Sequence, residues 1–374
     1  MSPQFSDLTA SGLYKAFAGQ PVLTGLDLGV PAGTLTAVLG PSGSGKTTLL
    51  RILAGFERPD GGTVRIGARV VDDDRHHVAA DKRRIGYVAQ EANLFPHLTV
   101  EANVGFGLPR RRRNSHRVAE LLETLGLEEL SRRYPHELSG GQQQRVAVAR
   151  ALAVEPSIVL LDEPFASLDL SLRAAVRAEI QQILRQAGAT TVLVTHDQDE
   201  ALSMADSVAV IRRGVIAQCA PPHELYVHPV DSELARFVGE ANLIAGTARG
   251  AVVDTPFGPL PVVVPLSDAE QSVTVLVRPE QLHVAVEDSS QGVAARVVGT
   301  EYYGHDAVIR LRLESTAQWS APSTAPPPLT ARVIGTLQVR PGQLVHLRVV
   351  GPVKAWSGAR SSVPTGDAVE LGGG

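Results

Sequence analysis

The feature that most limits how this chain can fold is the run Gly40, Pro41, Ser42, Gly43, Ser44, Gly45, Lys46, Thr47. It lies between the apolar stretch Thr34 to Leu39 and the helical stretch Thr48 to Ala54. A strand, a glycine-rich turn and a helix in that order fit G-x-x-x-x-G-K-[ST] in the context that gives the pattern its meaning. Glycines let backbone N–H groups turn inward around phosphate oxygens, and the following helix N-terminus adds partial positive charge. Lys46 supplies a compact charge to the β and γ phosphates, and Thr47 a hydroxyl for Mg²⁺. The expected ligands are ATP and Mg²⁺, with Gly40 to Thr47 and Thr48 around the phosphates.

Such a turn belongs to a mostly parallel sheet. From about Leu23 to Val210, short apolar runs alternate with longer helical stretches, the α/β pattern of a sheet covered on both faces. Thr34 to Leu39, Ser157 to Leu161 and Thr191 to Thr195 are almost continuously apolar or β-branched, as in strands buried on both sides. Ligands of open parallel sheets sit beyond the carboxyl ends of the strands, so polar residues at those ends are candidates. Asp162 and Glu163 end one run, Gln90 follows Ile85 to Ala89, and His196 follows Thr191 to Thr195. Asp162 is placed to hold Mg²⁺ through water, and Glu163 to polarise the water that attacks the γ-phosphate. Gln90 can reach the ion or that water. A neutral His196 can hydrogen-bond the γ-phosphate oxygen whose charge grows in the transition state. The expected metal set is Thr47, Gln90 and Asp162, and the expected catalytic set Glu163, His196 and Gln90.

Between these strands, Val118 to Leu127 repeats apolar residues at helical spacing and Gln142 to Ala153 reads as another helix, together a helical insertion over about 92–153. Leu138, Ser139, Gly140, Gly141, Gln142 precede the second helix, with Ser139 as its N-cap. A serine and two glycines at a helix start make a second anion-binding turn. With one phosphate loop in the chain, either there are two separate anion sites or the second turn completes a site on another copy.

The five residues LSGGQ, with every other motif in order from about Leu8 to Glu240, resemble the signature of ATP-binding-cassette ATPases. The resemblance implies a P-loop NTPase fold and a head-to-tail homodimer. Ser139, Gly140, Gly141, Gln142 and Asp169 of one copy would close over ATP held by the other, a self-complementary arrangement. It also implies an aromatic ring stacked on adenine, at Phe17 by spacing, with Tyr14 as the alternative. Where the family usually reads Ser-Ala-Leu-Asp this chain has Ala166, Ser167, Leu168, Asp169, which keeps the aspartate and takes the serine out of its usual place. Asn93 to Val100 is expected to expose Leu94, Phe95 and Leu98 beside a groove that receives a helix of a membrane subunit.

After about Gly239 the texture changes to short alternating strands such as Val273 to Val277, Ala307 to Leu313 and Leu344 to Val349, a small all-β domain. Leu276 to Leu282 and Gly299 to Asp306 resemble the OB- or TOBE-like accessory barrel of importer ATPases for ferric iron, polyamine, sulfate and sugar. Phrases such as GFERPDGG and YPHELSGGQQQR are most similar to the ferric-iron branch. The expected division is a nucleotide-binding domain over 1–238, a β domain over 239–356 and an unstructured tail over 357–374. Tyr302, Tyr303, His305 and Asp306 are expected in the barrel core and rim. A proline-rich loop over Ala321 to Pro328, a solvated arginine run at Arg110 to Arg113, and a surface position for His76 and His77 complete the expectations.

Composition narrows the partners. Lys plus Arg is 35 against 39 Asp plus Glu, a net charge of −4, with no basic surplus to neutralise a nucleic-acid backbone. Cys219 is the one cysteine, so no intrachain disulfide can form. Met1 to Ala10 lacks the basic and apolar parts of a signal peptide. The longest apolar runs, such as Ile158 to Leu161, fall far short of the ~20 residues that cross a bilayer. The resemblance therefore implies a peripheral ATPase on the cytoplasmic face of the plasma (inner) membrane, with two integral-membrane permease subunits and a periplasmic or lipoprotein solute-binding protein. It would couple ATP binding, dimer closure and hydrolysis to solute uptake, ferric iron first, with polyamine, sulfate, phosphonate or sugar as alternatives. A soluble ABC-type regulatory ATPase not tied to a membrane is the reading of another class. Glu163 and His196 together argue against a non-hydrolytic switch, and the absence of sustained heptads against a DNA-repair type.

Overall fold

The computed structural model describes residues 6–109, 111, 116–286, 292–314 and 328–357. Most of the arginine run and of the proline-rich segment, and the tail from 358 onward, lie outside the described residues. Ser357, expected to open the tail, ends the strand Lys354–Ser357.

The chain divides into two compact units, 1–226 and 227–374. The sequence places the boundary twelve residues later, after 238. The short helix Ser232–Phe237 goes with the second unit because the buried guanidinium of Arg278 donates to the carbonyls of Ala235 at 2.9 Å, Glu240 at 3.0 Å and Gly239 at 3.3 Å.

The first unit begins with β1 (Leu8–Phe17), β2 (Gln20–Val30), β3 (Leu35–Leu39), α1 (Lys46–Ala54), β4 (Gly61–Ile66), β5 (Arg69–Asp72) and β6 (Ile85–Val88). It continues through α2 (Val100–Val104), α3 (His116–Thr124), α4 (Gly140–Ala153), β7 (Ile158–Asp162), α5 (Leu170–Gln186), β8 (Thr191–Thr195), α6 (Gln198–Met204), β9 (Ser207–Arg212) and β10 (Val215–Ala220). A four-stranded antiparallel sheet has the order β2-β1-β4-β5, and a six-stranded sheet the order β10-β9-β3-β8-β7-β6. Only β10 runs antiparallel in the second sheet. All five residues of β3 and of β8 are buried, which is why their sequences show no alternation. Leu39 stands opposite Thr195, Asp162 opposite Val194 and Val88 opposite Leu161, so the carboxyl ends of these strands share one edge.

Helix α1 lies between the two sheets. Leu49, Leu50, Ile52 and Leu53 share one core with Leu8, Leu13, Leu23 and Leu26 of the antiparallel sheet and with Leu160, Val192 and Val194 of the parallel one. Its C-terminus ends at Gly55 in the left-handed region, at φ 83°. A Cβ there would meet the Arg83 Nε at 2.4 Å. Arg83, 2% exposed, donates to the last-turn carbonyls of Ile52 at 2.7 Å and Leu53 at 3.0 Å, to Val78 O at 2.6 Å and to Asp72 Oδ2 at 2.5 Å. The same oxygen of Asp72 is 2.9 Å from the His77 Nδ1, so His77, at the surface as expected, also touches this buried pair.

The second unit contains two five-stranded antiparallel sheets. One centres on Asn242–Arg249 and Gln271–Val277, the other on Val293–Tyr302, Asp306–Leu313 and Leu344–Val349. Val275, Leu282, Val297, Ile309, Leu311, Val345 and Leu347 form their shared core. Tyr302 and Tyr303 are 68% and 57% exposed and take no part in that core, so they sit on the rim. His305 is exposed beside them, and Asp306 pairs with Arg332 at 3.3 Å.

Arg83→Ala is expected to destabilise the first unit by about 3–5 kcal/mol, because it leaves the Asp72 carboxylate buried without its cation. A urea titration followed by circular dichroism measures the shift.

Candidate active site

The turn between β3 and α1 is held tightly against its neighbours. A Cβ on Gly40 would lie 2.6 Å from Ile211 Cγ2 and 2.7 Å from Ser44 Oγ, so no larger residue fits without displacing β9. Gly43 and Gly45 have φ of 76° and 103°, conformations open to glycine and costly for other residues. Lys46 is 5% exposed, and its ammonium donates to the carbonyls of Gly40 at 2.8 Å and Pro41 at 3.0 Å. Burial pushes its pKa below the ordinary lysine value, opposed by the nearby charges of Glu163 and Asp162. Ser44 Oγ is buried with no hydrogen-bond partner among the described residues. Pro41, Ser42, Gly43 and Thr47 are exposed, and Thr48 is half-buried. A glycine cradle, a shielded ammonium and an unpartnered hydroxyl suit a polyphosphate.

Two carboxylates follow from β7 onward. Asp162 is half-buried, and its Oδ2 accepts from the Tyr87 hydroxyl at 2.8 Å. Burial pushes its carboxyl above the usual range, with the Tyr87 hydroxyl and Lys46 acting the other way and Glu163 reinforcing the rise. Glu163 has φ 44°, a left-handed conformation uncommon for a residue with a side chain. Its N–H donates to Val194 O at 2.9 Å, so the pairing of β7 with β8 extends one residue past the strand. Its Oε2 lies 3.0 Å from the His196 Nδ1 at the end of β8. A carboxylate oxygen can only accept, which assigns the proton to that ring nitrogen.

Gln90, exposed at the end of β6, lines a cleft of about 400 Å³ with Asp162, Ala89, Glu91, Asn93, Ala166 and Ser167. The strands thus bring Gln90 and Asp162 together, and charge couples Asp162 and Glu163 to Lys46. A hydroxyl, an amide oxygen and a carboxylate are the hard oxygen donors that Mg²⁺ accepts, usually alongside substrate phosphates. No group of three or more His, Cys, Asp or Glu side chains among the described residues could hold a metal by itself. The donor set therefore fits an ion shared with a nucleotide.

The second glycine turn is built as a capping box. Ser139 Oγ accepts from Gln142 N at 3.3 Å, and Ser139 N donates to Gln142 Oε1 at 2.9 Å. Ser139 and Gly140 remain exposed. Cβ atoms on Gly140 and Gly141 would come within 3.2 Å of Leu168 and 2.9 Å of Val176, so the glycines let α4 pack on the segment after β7 and on α5. Asp169 is exposed at the N-cap of α5 and its side chain makes no capping bond. Among the described residues, no hydrogen bond or ion pair joins Ser139, Gly140, Gly141, Gln142 or Asp169 to the phosphate loop of the same chain.

Phe17 and Tyr14 are 45% and 44% exposed, and the Lys15 ammonium lies 5.1 Å from the centre of the Phe17 ring. The segment after Gln90 differs from expectation. Leu94, Phe95 and Leu98 are half-buried, because Phe95 packs on Phe106 at 4.1 Å and buried Asn103 bonds the backbone of Phe95 and Leu98. Sequence reasoning also missed Tyr87. Its link to Asp162 depends on the pairing of Tyr87 with Leu160, a register that no local pattern reveals.

An ABC transporter family model matches residues 23–166, and a TOBE domain model matches residues 275–350. The chain belongs to the ATP-binding-cassette transporter ATPases. It is 45% identical to Fe(3+) ions import ATP-binding protein FbpC 1 of Rhodococcus jostii (strain RHA1), over 93% of this chain and 98% of that one. CbiO1 of Clostridium perfringens, part of the ABC transporter complex CbiONQ, superposes with a TM-score of 0.54 at 30% identity, covering 59% of this chain and 90% of that chain. A dimeric ATP-binding cassette in a post-hydrolysis state with ADP and Pi gives a TM-score of 0.50 at 31% identity, covering 57% and 98%.

Lys46→Ala removes a buried charge-assisted donor and is expected to weaken ATP binding by about 10- to 100-fold. Titration with a fluorescent ATP analogue measures the loss.

Proposed function

We propose that this chain is the ATP-hydrolysing subunit of an importer that takes up ferric ions through separate membrane permease subunits. The observation that carries the hydrolytic part is the contact between Glu163 and His196 at adjoining strand ends, with Lys46 and Asp162 beside it. The Glu163 backbone, fixed by its bond to Val194, aims the carboxylate toward the edge where a γ-phosphate would lie. That carboxylate orients and deprotonates the attacking water. His196, held through Nδ1, offers Nε2 to a γ-phosphate oxygen as charge accumulates there. Thr47, Gln90 and Asp162 hold Mg²⁺, which when bound neutralises phosphate charge. Phe17, or Tyr14 three residues earlier in β1, offers a ring face to adenine.

Two copies assemble head to tail in this reading. The exposed Ser139 and Gly140, with Gly141, Gln142 and Asp169, complete the nucleotide site of the other copy, and a dimer as such is supported by the likeness to a dimeric cassette bound to ADP and Pi. ATP closes the dimer and hydrolysis reopens it, and the movement passes to the permease. No helix of the described residues is long and apolar enough to cross a membrane. The reading places the chain peripherally on the cytoplasmic face, below two permease subunits that receive solute from a binding protein. Ferric iron as cargo is supported by the likeness to the Rhodococcus jostii import protein over nearly its whole length.

Glu163→Gln is expected to lower the rate of phosphate release at least 100-fold, while ATP binding persists and a dimer becomes visible by light scattering. Normal turnover in this variant would remove Glu163 as the base. Uptake of labelled ferric ion by proteoliposomes holding the full transporter should stop with the same substitution.

A further inference from the structure

Tyr87 has no role assigned from the sequence, yet its hydroxyl donates to Asp162 Oδ2 at 2.8 Å from the neighbouring strand. Its ring is half-buried, with the Phe56 ring edge-on at a centroid distance of 5.3 Å and 83° between planes. Phe56 in turn follows the Gly55 cap of α1, and its N–H donates to the carbonyl of Arg51 at 2.9 Å. The phenol is thus fixed by strand pairing on one side and by the segment leaving the phosphate-loop helix on the other. Its acceptor is the carboxylate at the end of β7 that lines the cleft with Gln90.

We infer that Tyr87 is a positioning residue for Mg²⁺: by occupying Oδ2 it fixes the Asp162 carboxylate and turns Oδ1 toward the water through which that carboxylate holds the ion. The inference rests on the assignment of Asp162 as a metal-holding residue. Carboxylates that ligate metals are themselves held by hydrogen bonds, and loss of such a partner typically costs 10- to 100-fold in metal affinity or activity. The effect expected here is at the low end, about tenfold, because Asp162 would hold the ion through a water and not directly. Tyr87→Phe keeps the ring against Phe56 and deletes only the hydroxyl, so it separates positioning from packing.

Mn²⁺ serves as the probe, with nucleotide-dependent binding followed by electron paramagnetic resonance in the full-length chain carrying Glu163→Gln to prevent turnover. Tyr87→Phe should raise the half-saturating Mn²⁺ concentration about tenfold. Binding of a fluorescent ATP analogue in excess chelator should not change. Asp162→Asn should raise the Mn²⁺ requirement further, and adding Tyr87→Phe to it should have no additional effect, since both changes act on one interaction. If Asp162→Asn shifts Mn²⁺ binding and Tyr87→Phe does not, the role of Tyr87 is overturned while the metal assignment stands. If neither shifts it, the assignment of Asp162 falls and takes the inference with it. Equal loss of nucleotide affinity with and without metal in Tyr87→Phe would show general damage and also overturn the inference.

Discussion

The parallel pairing of β3, β8, β7 and β6 is the constraint on which the rest of the first unit depends. These strands are far apart in the chain, and their pairing alone puts Gly40, His196, Asp162 and Gln90 on one edge. Both faces of β3 and β8 are buried, so register is set by packing on two sides. A shift of one residue would exchange every side chain between those faces. Glu163 carries the same constraint one residue further, because its amide continues the pairing with β8 and its carboxylate meets His196. The geometry of the candidate site and that of the sheet are one construction at that position.

Helix α1 transfers that order to the antiparallel sheet. Its four large aliphatic side chains stabilise the unit by roughly 1.5–3 kcal/mol each on burial. The Arg83 and Asp72 pair at its C-terminus is a buried ion pair, whose net contribution relative to apolar packing is small or unfavourable. Packing therefore supplies the stability. Arg83 supplies location, since its guanidinium ties the two last-turn carbonyls to β5 through one oxygen of Asp72.

Local chemistry was readable from the sequence, and partner identity across elements was not. The phosphate loop, Asp162 with Glu163, His196 and the serine-glycine turn each announce themselves within a few residues. The buried strands β3 and β8 do so by their apolar texture. Helix limits were less legible: α3 ends at Thr124, three residues before the expected Leu127, because Gly126 adopts φ 62° and the Leu127 amide turns back to Leu122 O. Helix α4 starts at Gly140, two residues early, because the cap is closed by Gln142 itself. The role of Tyr87 and the unit boundary at 226 depend on contacts between residues distant in sequence, at Asp162 and Arg278, and the half-burial of Phe95 on a loop closed by Asn103 eight residues on.

The Lys46 ammonium already has two acceptors, the carbonyls of Gly40 and Pro41 within its own loop. An ammonium has three N–H donors, so one remains for an arriving phosphate oxygen while the two carbonyls hold the others in place. Because the ammonium is buried and aimed by those two carbonyls before nucleotide arrives, the direction of its third donor is set in folding. Small changes in how the backbone presents those two carbonyls can therefore tune nucleotide exchange without touching the lysine.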